Sequence, residues 1–294
     1  MRRTDRGVVL GLYRHDPDRH LLEHALKLGI CGVDTAYNYR GFTSHRMLAQ
    51  TAGDLLEEFI VSTKVGFFPG RDGHTVHCLE PDRLRAAVEE SIQDLGRTPD
   101  VVFLHNPERT LADLSTDEGG DRLAEACACL ADAVASGLAG AWGISSWDPR
   151  PLGSVLAACK PDQLPTILLV RAGLTVPDLV LAAAEAISET FGIAAAERWG
   201  MSPFGGSTAE TVWRTANLSA FLTSQRPCST QQAAFRLAYE LPSVTRIAAG
   251  TSNTEHLTEL VDATDVELAA DAINQYRGLI RADTRRRPTR PATI

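Results

Sequence analysis

The sequence of 294 residues contains no uninterrupted run of about 18 apolar residues, the length that a membrane-spanning helix needs. It also lacks the pattern of a secretory signal peptide, because the charged residues at positions 1–6 lead into only a short apolar run at positions 8–12. Basic residues are few, with 29 Lys and Arg against 37 Asp and Glu and a net charge of −8. Because nucleic-acid binding needs a concentrated basic surface, we expect neither a nucleic acid nor a membrane as a partner.

Paired cysteine motifs are absent as well. The six cysteines, at positions 31, 78, 127, 129, 159 and 228, form no Cys-x-x-Cys pair, and most lie within apolar patterns. This usage is typical of reduced cysteines in a cytoplasmic protein. His74 and His77 have a spacing that suits metal ligands, but no third ligand lies nearby in the sequence. We therefore predict a mobile polar loop there and no metal site.

Two common catalytic motifs are also missing. No Gly-x-Gly-x-x-Gly follows a predicted strand, and no Gly-x-Ser-x-Gly occurs anywhere in the chain. These absences argue against a Rossmann nucleotide site and against the nucleophile elbow of a serine hydrolase.

What the chain does contain is a regular alternation of short β-rich runs and amphipathic helical stretches, which is typical of parallel βαβ units. Eight strands are predicted, at residues 8–12, 32–36, 59–65, 101–105, 141–145, 166–171, 193–201 and 244–249. An irregular loop is predicted at residues 66–79. Eight units predict an α/β protein with a single-domain (β/α)8 TIM barrel over residues 1–282. The basic residues 283–294 are expected to form a flexible tail.

Four polar residues lie where predicted barrel strands end, and this is where such barrels carry their active sites. They are Asp34, Tyr39, Lys64 and His105. A tyrosine has an unperturbed pKa of about 10, so one used as a proton donor needs a cation beside it. Lys64 supplies that cation, an aspartate keeps a buried lysine charged, and a histidine can donate a hydrogen bond to a substrate oxygen. Each residue alone has an ordinary structural interpretation, and it is the combination that predicts a proton-transfer site.

At this point the sequence resembles the aldo-keto reductase family along nearly the whole chain. The most specific match is Gly29-x-x-x-x-Asp34-Thr35-Ala36-x-x-Tyr39. Four further matches follow in order: Ser62-Thr-Lys64, Leu104-His105, Trp142-Gly-Ile-Ser-Ser-Trp147 and Ser202-Pro-Phe204. The resemblance implies a barrel that binds a nicotinamide cofactor, usually NADPH, and reduces aldehydes, ketones or related carbonyl compounds.

Carried over residue by residue, the resemblance makes Tyr39 the general acid that protonates the carbonyl oxygen. Lys64 then lowers the pKa of Tyr39, Asp34 holds Lys64, and His105 orients and polarises the carbonyl. Tyr13 and Trp147 occupy positions that line the substrate pocket in this family. Arg171 shares the face of Leu169 near the barrel mouth. We predict that it either binds an anionic group of substrate or cofactor, or pairs with Glu197 on the neighbouring strand.

The cofactor positions depart from the family pattern. Ser145-Ser146 stands where Ser-Asn usually holds the nicotinamide carboxamide, Leu169 replaces the glutamine that completes this clamp, and Met201 replaces the aromatic residue that stacks on the ring. At the phosphate end the usual lysine and arginine appear as Gly250 and His256, which leaves NADH as an alternative to NADPH. The resemblance implies cofactor contacts from Ser145, Ser146, Met201, Ser202, Phe204, Gly205, Gly206, Gly250, Thr251, Ser252, His256 and Glu259.

Three functions are consistent with these residues. The first is a cytoplasmic NAD(P)H-dependent reductase acting on a small-molecule carbonyl or imine. The second is a lyase, dehydratase or isomerase that uses the same acid-base residues without hydride transfer, and the weakened carboxamide clamp is the reason to consider it. The third is a nucleotide-sensing, non-catalytic subunit, which has no need of four intact acid-base residues.

Overall fold

Eight parallel strands close into a barrel in the computed structural model, which describes residues 6–223 and 227–286. Around the barrel the strands follow the order β1, β10, β9, β8, β7, β6, β3, β2. Their bounds are β1 Gly7–Gly11, β2 Gly32–Asp34, β3 Ile60–Val65, β6 Val101–His105, β7 Ala141–Ser146, β8 Ile167–Arg171, β9 Arg198–Met201 and β10 Arg246–Ala249. The prediction of a single-domain (β/α)8 barrel is confirmed, and all eight predicted strands are present. The strand predicted at residues 193–201 is shorter, because Ala195–Glu197 forms a 3-10 turn.

Helices lie between the strands, and several begin and end where sequence signals place them. A proline in the first turn begins Pro81–Leu95, and Gly96 ends it in the left-handed conformation with φ of 71°. Ser115 and Glu118 form a capping box at the start of Thr116–Ala135. The described helices are α1 Arg19–Lys27, α2 Ser44–Ala52, α3 Pro81–Leu95, α4 Glu108–Leu111, α5 Thr116–Ala135, α6 Leu152–Leu156, α7 Asp178–Thr190, α8 Thr211–Thr215, α9 Thr230–Ala238, α10 Thr254–Ala263 and α11 Ala270–Arg286.

The inside of the barrel is filled by side chains. Val101, Phe103, Ile167, Leu169 and Trp199 form one buried cluster there. Side chains alternate between the two faces of a strand, so every second residue points into the barrel. The next inward-facing residues toward the C-terminal ends therefore lie at the barrel mouth. These residues are His105 after Phe103, Arg171 after Leu169 and Met201 after Trp199. The apolar cluster thus forms the floor of the candidate site.

A β-hairpin lies at this end of the barrel, where an irregular loop was predicted. Phe67–Pro69 (β4) pairs antiparallel with Thr75–His77 (β5), with Phe67 opposite His77. The loop prediction was therefore wrong. Its glycines and proline dominated the pattern, and three-residue strands are too short to show a clear alternation.

The C-terminal part of the chain ends in α11, which continues through Arg286 and thus past residue 282. Residues 287–294 lie outside the described part, so the flexible tail stays a prediction. In the described ranges no helix is both long and apolar enough to cross a membrane. Among the described residues, Cys31, Cys78, Cys127, Cys129 and Cys159 form no disulfide, and Cys31 is exposed rather than buried in the core.

Candidate active site

A buried ion pair lies at the C-terminal ends of β2 and β3. The Nζ of Lys64 is 2.5 Å from Oδ2 of Asp34 and donates a second hydrogen bond of 2.8 Å to the carbonyl of Thr35. The other oxygen of Asp34 accepts from the hydroxyl of Ser62 at 2.8 Å. The side chain of Lys64 is only 2% exposed, and burial lowers its pKa while Asp34 opposes that shift. The geometry gives the lysine the carboxylate partner that the sequence predicts.

Tyr39 lies beside this pair, in the loop that follows β2. The Nζ of Lys64 is 5.1 Å from the centre of the Tyr39 ring. Among the described residues no hydrogen bond joins Lys64 to the Tyr39 hydroxyl. Burial, together with the charge of Asp34, raises the pKa of Tyr39 well above its ordinary value. The expected lowering of this pKa by Lys64 is therefore not found, since burial dominates, and Tyr39 is a protonated phenol at neutral pH.

His105 completes the predicted set at the end of β6. Its ring centre is 6.2 Å from that of Tyr39, in an edge-on arrangement. Burial is the main cause that lowers the pKa of His105 far below its ordinary value, and the nearby charge of Lys64 acts in the same direction. The ring is therefore neutral at pH 7. Its Nδ1 atom is buried and, within the described part of the chain, has no hydrogen-bond partner.

The hairpin supports His105 from outside the barrel. Nε2 of His77 lies 2.7 Å from the carbonyl of His105, and Nδ1 lies 2.7 Å from the hydroxyl of Thr110. Since a carbonyl only accepts, His77 carries its proton on Nε2 and accepts at Nδ1 from Thr110. Burial lowers the pKa of His77 to about 4, which keeps this tautomer neutral. The ring of Phe67 packs edge-on against His105 at 4.8 Å.

Glu108 is a buried acid that sequence reasoning did not identify. One of its oxygens accepts the backbone N–H groups of Trp147 at 2.7 Å and Asp148 at 3.0 Å. Burial raises the pKa of Glu108. Hydrogen bonds from the backbone of Asp148 and Trp147 and from the side chain of Ser146 oppose this shift. Its place three residues after His105, just beyond a strand end, was the only signal in the sequence.

Arg171 and Trp147 are in contact at the barrel mouth. Nε of Arg171 donates to the carbonyl of Trp147 at 2.7 Å, and the guanidinium lies 4.8 Å from the centre of the indole ring. The alternative in which Arg171 pairs with Glu197 is wrong. Arg171 ends β8 next to Met201, whereas Glu197 precedes β9 at the opposite end of the barrel.

The remaining predicted substrate residue, Tyr13, follows β1. Its ring centre is 5.0 Å from that of Tyr39, and the side chain is 61% exposed. Trp147 is 44% exposed. Both aromatic side chains thus lie at the rim of the site and remain open to a ligand.

The predicted nicotinamide positions lie next to each other at the ends of β7, β8 and β9. The Oγ of Ser145 is 3.9 Å from the sulfur of Met201, and Ser145 is in register with Leu169. Leu169 is fully buried in the apolar floor. Ser145 and Ser146 are therefore the polar side chains at the predicted carboxamide position.

Tight backbone follows β9 and β10, where phosphate contacts are predicted. Ser202, Gly205 and Gly206 have φ of 55°, 70° and 126°. The carbonyl of Phe204 accepts from the indole of Trp213 at 3.1 Å, while its ring packs on Phe235. These contacts hold the turn against α8 and α9.

Gly250 lies so close to the neighbouring strand that a Cβ there would be 3.0 Å from the carbonyl of Gly11. Thr251 is buried and its hydroxyl accepts from the N–H of Asn253, the residue that caps α10. Ser252, His256 and Glu259 are exposed around the start of α10. They follow the end of β10, whereas Lys64 lies near the end of β3.

Comparison with known proteins agrees with this architecture. The model of the aldo/keto reductase family matches residues 14–168, more than half of the chain. An aldo-keto reductase from Bacillus halodurans, solved in its holo form, superposes with a TM-score of 0.68 at 18% identity, over 93% of this chain and 91% of the other. An aldose reductase from Giardia lamblia gives 0.67 at 16% identity, over 96% and 94%. A putative aldo-keto reductase from Pseudomonas aeruginosa gives 0.61 at 21% identity, over 88% and 90%. No protein of curated function matches the chain.

Proposed function

Because this chain belongs to the aldo/keto reductase family, we propose that it reduces an aldehyde, a ketone or a related imine with hydride from a nicotinamide cofactor. The observation that carries this proposal is the protonated Tyr39 beside the buried pair of Lys64 and Asp34, with neutral His105 facing the same space. A protonated phenol next to a buried cation is an acid suited to a carbonyl oxygen that gains negative charge.

The residues at the ends of β7, β8 and β9 fit a nicotinamide ring in part. The hydroxyl groups of Ser145 and Ser146 can donate to or accept from a carboxamide. The thioether of Met201 can pack on the ring. When bound, the reduced nicotinamide supplies the hydride. We propose NADPH as the cofactor, with NADH as the alternative because His256 replaces a permanently charged residue.

The phosphates of the cofactor would be held at the ends of β9 and β10. Gly205 and Gly206 permit close approach of the backbone, and the N-terminus of α10 attracts anions. Thr251 and Ser252 add hydroxyl groups at the same place. The absence of paired Cys-x-x-Cys motifs fits a reducing, cytoplasmic location for such an enzyme.

In the proposed reaction Tyr39 donates its proton to the carbonyl oxygen. Lys64 stabilises the resulting phenolate, and Asp34 keeps Lys64 charged. His105 donates from Nε2 to the same oxygen. A proton on Nδ1 instead would leave a buried donor without an acceptor, which proteins rarely tolerate.

One observation favours a second candidate, a non-redox acid-base enzyme. Leu169 has no polar atom where the family usually completes the carboxamide clamp, so the acid-base residues are better preserved than the cofactor contacts. Such an enzyme, a lyase, dehydratase or isomerase, would use Tyr39 and Lys64 without hydride transfer.

A cofactor titration separates the two candidates. NADPH and NADH are added to the purified protein, and cofactor fluorescence is followed. We expect micromolar binding of at least one of them. Absence of binding by either at millimolar concentration would refute the reductase and leave the acid-base alternative.

Replacing Tyr39 by phenylalanine tests the mechanism. Tyr39→Phe should lower kcat for a panel of aldehydes by about 10² to 10⁴, because it removes the proton donor, while cofactor binding remains. Turnover is measured at the absorbance band of the reduced cofactor. Tyr37→Phe is the matched control, since the Tyr37 hydroxyl faces Glu90 on the outside and should leave kcat unchanged. Full turnover by Tyr39→Phe would contradict the assignment.

A further inference from the structure

Arg171 has hydrogen-bonding capacity that the protein does not use. Its Nε donates to the carbonyl of Trp147, but within the described residues its two terminal nitrogens have no hydrogen bond and no ion pair. The side chain is half-buried, and burial lowers its pKa. Asp148 and Glu108 lie near enough to attract its charge, but neither forms an ion pair with it among the described residues. A half-buried guanidinium without a direct ion pair is unusual, since buried charges are normally paired.

The acids around Arg171 are engaged elsewhere. Asp148 forms an ion pair with Arg150, and Glu108 accepts from the backbone of Trp147 and Asp148. The chain as a whole carries a net charge of −8, so a shortage of acidic residues is not the reason. The free edge of Arg171 is therefore available to an anion from outside the protein.

The position of Arg171 relates this free edge to the reacting centre. His105, Ser145 and Leu169 are in register across β6, β7 and β8. Arg171 is the next inward-facing residue after Leu169 on β8. Two residues of strand advance the chain by about 6–7 Å. Arg171 thus lies above the level at which His105 faces the site, on the side that leads to solvent.

Trp147 is held beside it from two sides. Glu108 accepts the backbone N–H of Trp147, and Arg171 donates to its backbone carbonyl. The guanidinium of Arg171 also lies over the indole ring. The exposed indole can pack on an organic ligand while the terminal nitrogens of Arg171 bind that ligand's charge. A planar guanidinium offers two parallel donors, which match the two oxygens of a carboxylate.

We propose that Arg171 binds a carboxylate at the far end of the aldehyde substrate, so that the enzyme prefers aldehydes that carry an acid group. This inference rests on the proposed reductase function and narrows its substrate class. The carbonyl lies against Tyr39 and His105, the body of the substrate packs on Trp147, and the carboxylate lies at the barrel mouth.

A matched substrate pair tests this preference. The probes are 4-carboxybenzaldehyde and its neutral methyl ester, which share the reacting aldehyde and the ring. Arg171→Gln removes the charge but keeps an N–H that can donate to the carbonyl of Trp147. We expect it to raise KM for the acid at least tenfold and to change KM for the ester by less than threefold. Arg122→Gln, which removes an exposed charge from α5, is the control and should change neither.

Two results would overturn the proposal. An equal increase in KM for the acid and for the ester would mean that Arg171 acts only by holding Trp147. A tenfold weaker binding of NADPH by Arg171→Gln, measured by fluorescence, would assign the bound anion to the cofactor phosphates instead. We expect NADPH affinity to remain within twofold of the wild type.

A binding measurement without turnover separates this inference from the reductase function. Titration calorimetry with 4-(hydroxymethyl)benzoate and with benzyl alcohol should show at least tenfold tighter binding of the acid to the wild type, and no such preference in Arg171→Gln. If the wild type binds both equally, the carboxylate site is refuted even when aldehydes are reduced. If the preference is present but no aldehyde is reduced, the proposed function fails while the site stands.

Discussion

At the scale of one residue, the charge of the buried Lys64 depends on the groups that surround it. Taking an ammonium group out of water costs several kcal/mol, and the buried carboxylate of Asp34 offsets that cost only because both groups have further hydrogen-bond partners. The hydroxyl of Ser62 and the carbonyl of Thr35 supply them. Lys64 is thereby held toward Asp34, with its ammonium group 5.1 Å from the centre of the Tyr39 ring.

His45 lies behind Lys64 and gives a pH-dependent contribution to stability. It is 2% exposed, its Nε2 is 2.7 Å from the Thr63 hydroxyl, and burial lowers its pKa from 6.5 to about 4. Since the pKa in the folded state is the lower one, the unfolded chain takes up the proton first. The stabilising contribution is therefore complete above pH 6.5 and is lost as the pH falls toward 4.

Lowering the pH from 7 to 4.5 should reduce the free energy of unfolding of the wild type by about 1–3 kcal/mol more than that of His45→Gln. Glutamine at this position can keep a hydrogen bond to Thr63 but does not take up a proton. Urea unfolding at both pH values measures this difference. Equal losses in the two proteins would show that His45 is not kept neutral by the fold.

At the scale of single elements, the β4–β5 hairpin links the rim of the barrel to His105. His77 joins the hairpin to the carbonyl of His105 and to the hydroxyl of Thr110 in α4. Phe67 adds an aromatic contact with the His105 ring. The hairpin therefore fixes both the backbone and the ring of a predicted catalytic residue.

Removing the His77 side chain should disturb that residue. We expect His77→Ala to lower kcat/KM about tenfold, the equivalent of one hydrogen bond worth about 1.4 kcal/mol, without changing NADPH affinity. Steady-state kinetics and the fluorescence titration measure the two effects. His74→Ala, an exposed histidine of the same hairpin segment, is the control. Equal activity of both variants would show that the hairpin does not position His105.

The elements differ in how far the sequence predicted them. The strand at residues 101–105 was predicted with its observed bounds. The helix Pro81–Leu95 begins at a first-turn proline and ends at Gly96, and both signals can be read from the sequence. The hairpin and the contacts of Glu108 were not predicted. Glu108 binds backbone 39 and 40 residues away, and such pairings follow from closure of the barrel rather than from local pattern.

At the scale of the whole molecule, stability and function occupy different levels of one barrel. Trp199 and Phe103 belong to the apolar cluster that fills the interior, whereas Trp147 and Arg171 lie at the mouth. Trp199 is 2% exposed and Trp147 is 44% exposed. The closed barrel brings both levels together, with the packed floor supporting the polar layer above it.

Two tryptophan variants separate these levels. Trp199→Ala should lower the free energy of unfolding by about 3–5 kcal/mol, because it leaves a cavity in the packed interior. Trp147→Ala should lower it by less than about 1 kcal/mol and instead raise KM for aromatic aldehydes. Denaturant unfolding and steady-state kinetics measure these effects. The reverse order of destabilisation would contradict the division between floor and mouth.

The sequence by itself determined the barrel and the location of four residues at its strand ends, namely Asp34, Tyr39, Lys64 and His105. Strand and helix periodicity is local information, and the four residues lie directly at the ends of patterned segments. Only the tertiary structure decided what surrounds them: the burial that raises the pKa of Tyr39, the neutral state of His105, and the free edge of Arg171. The physical reason is that burial, charge pairing and long-range hydrogen bonds depend on segments that meet only when the eight strands close.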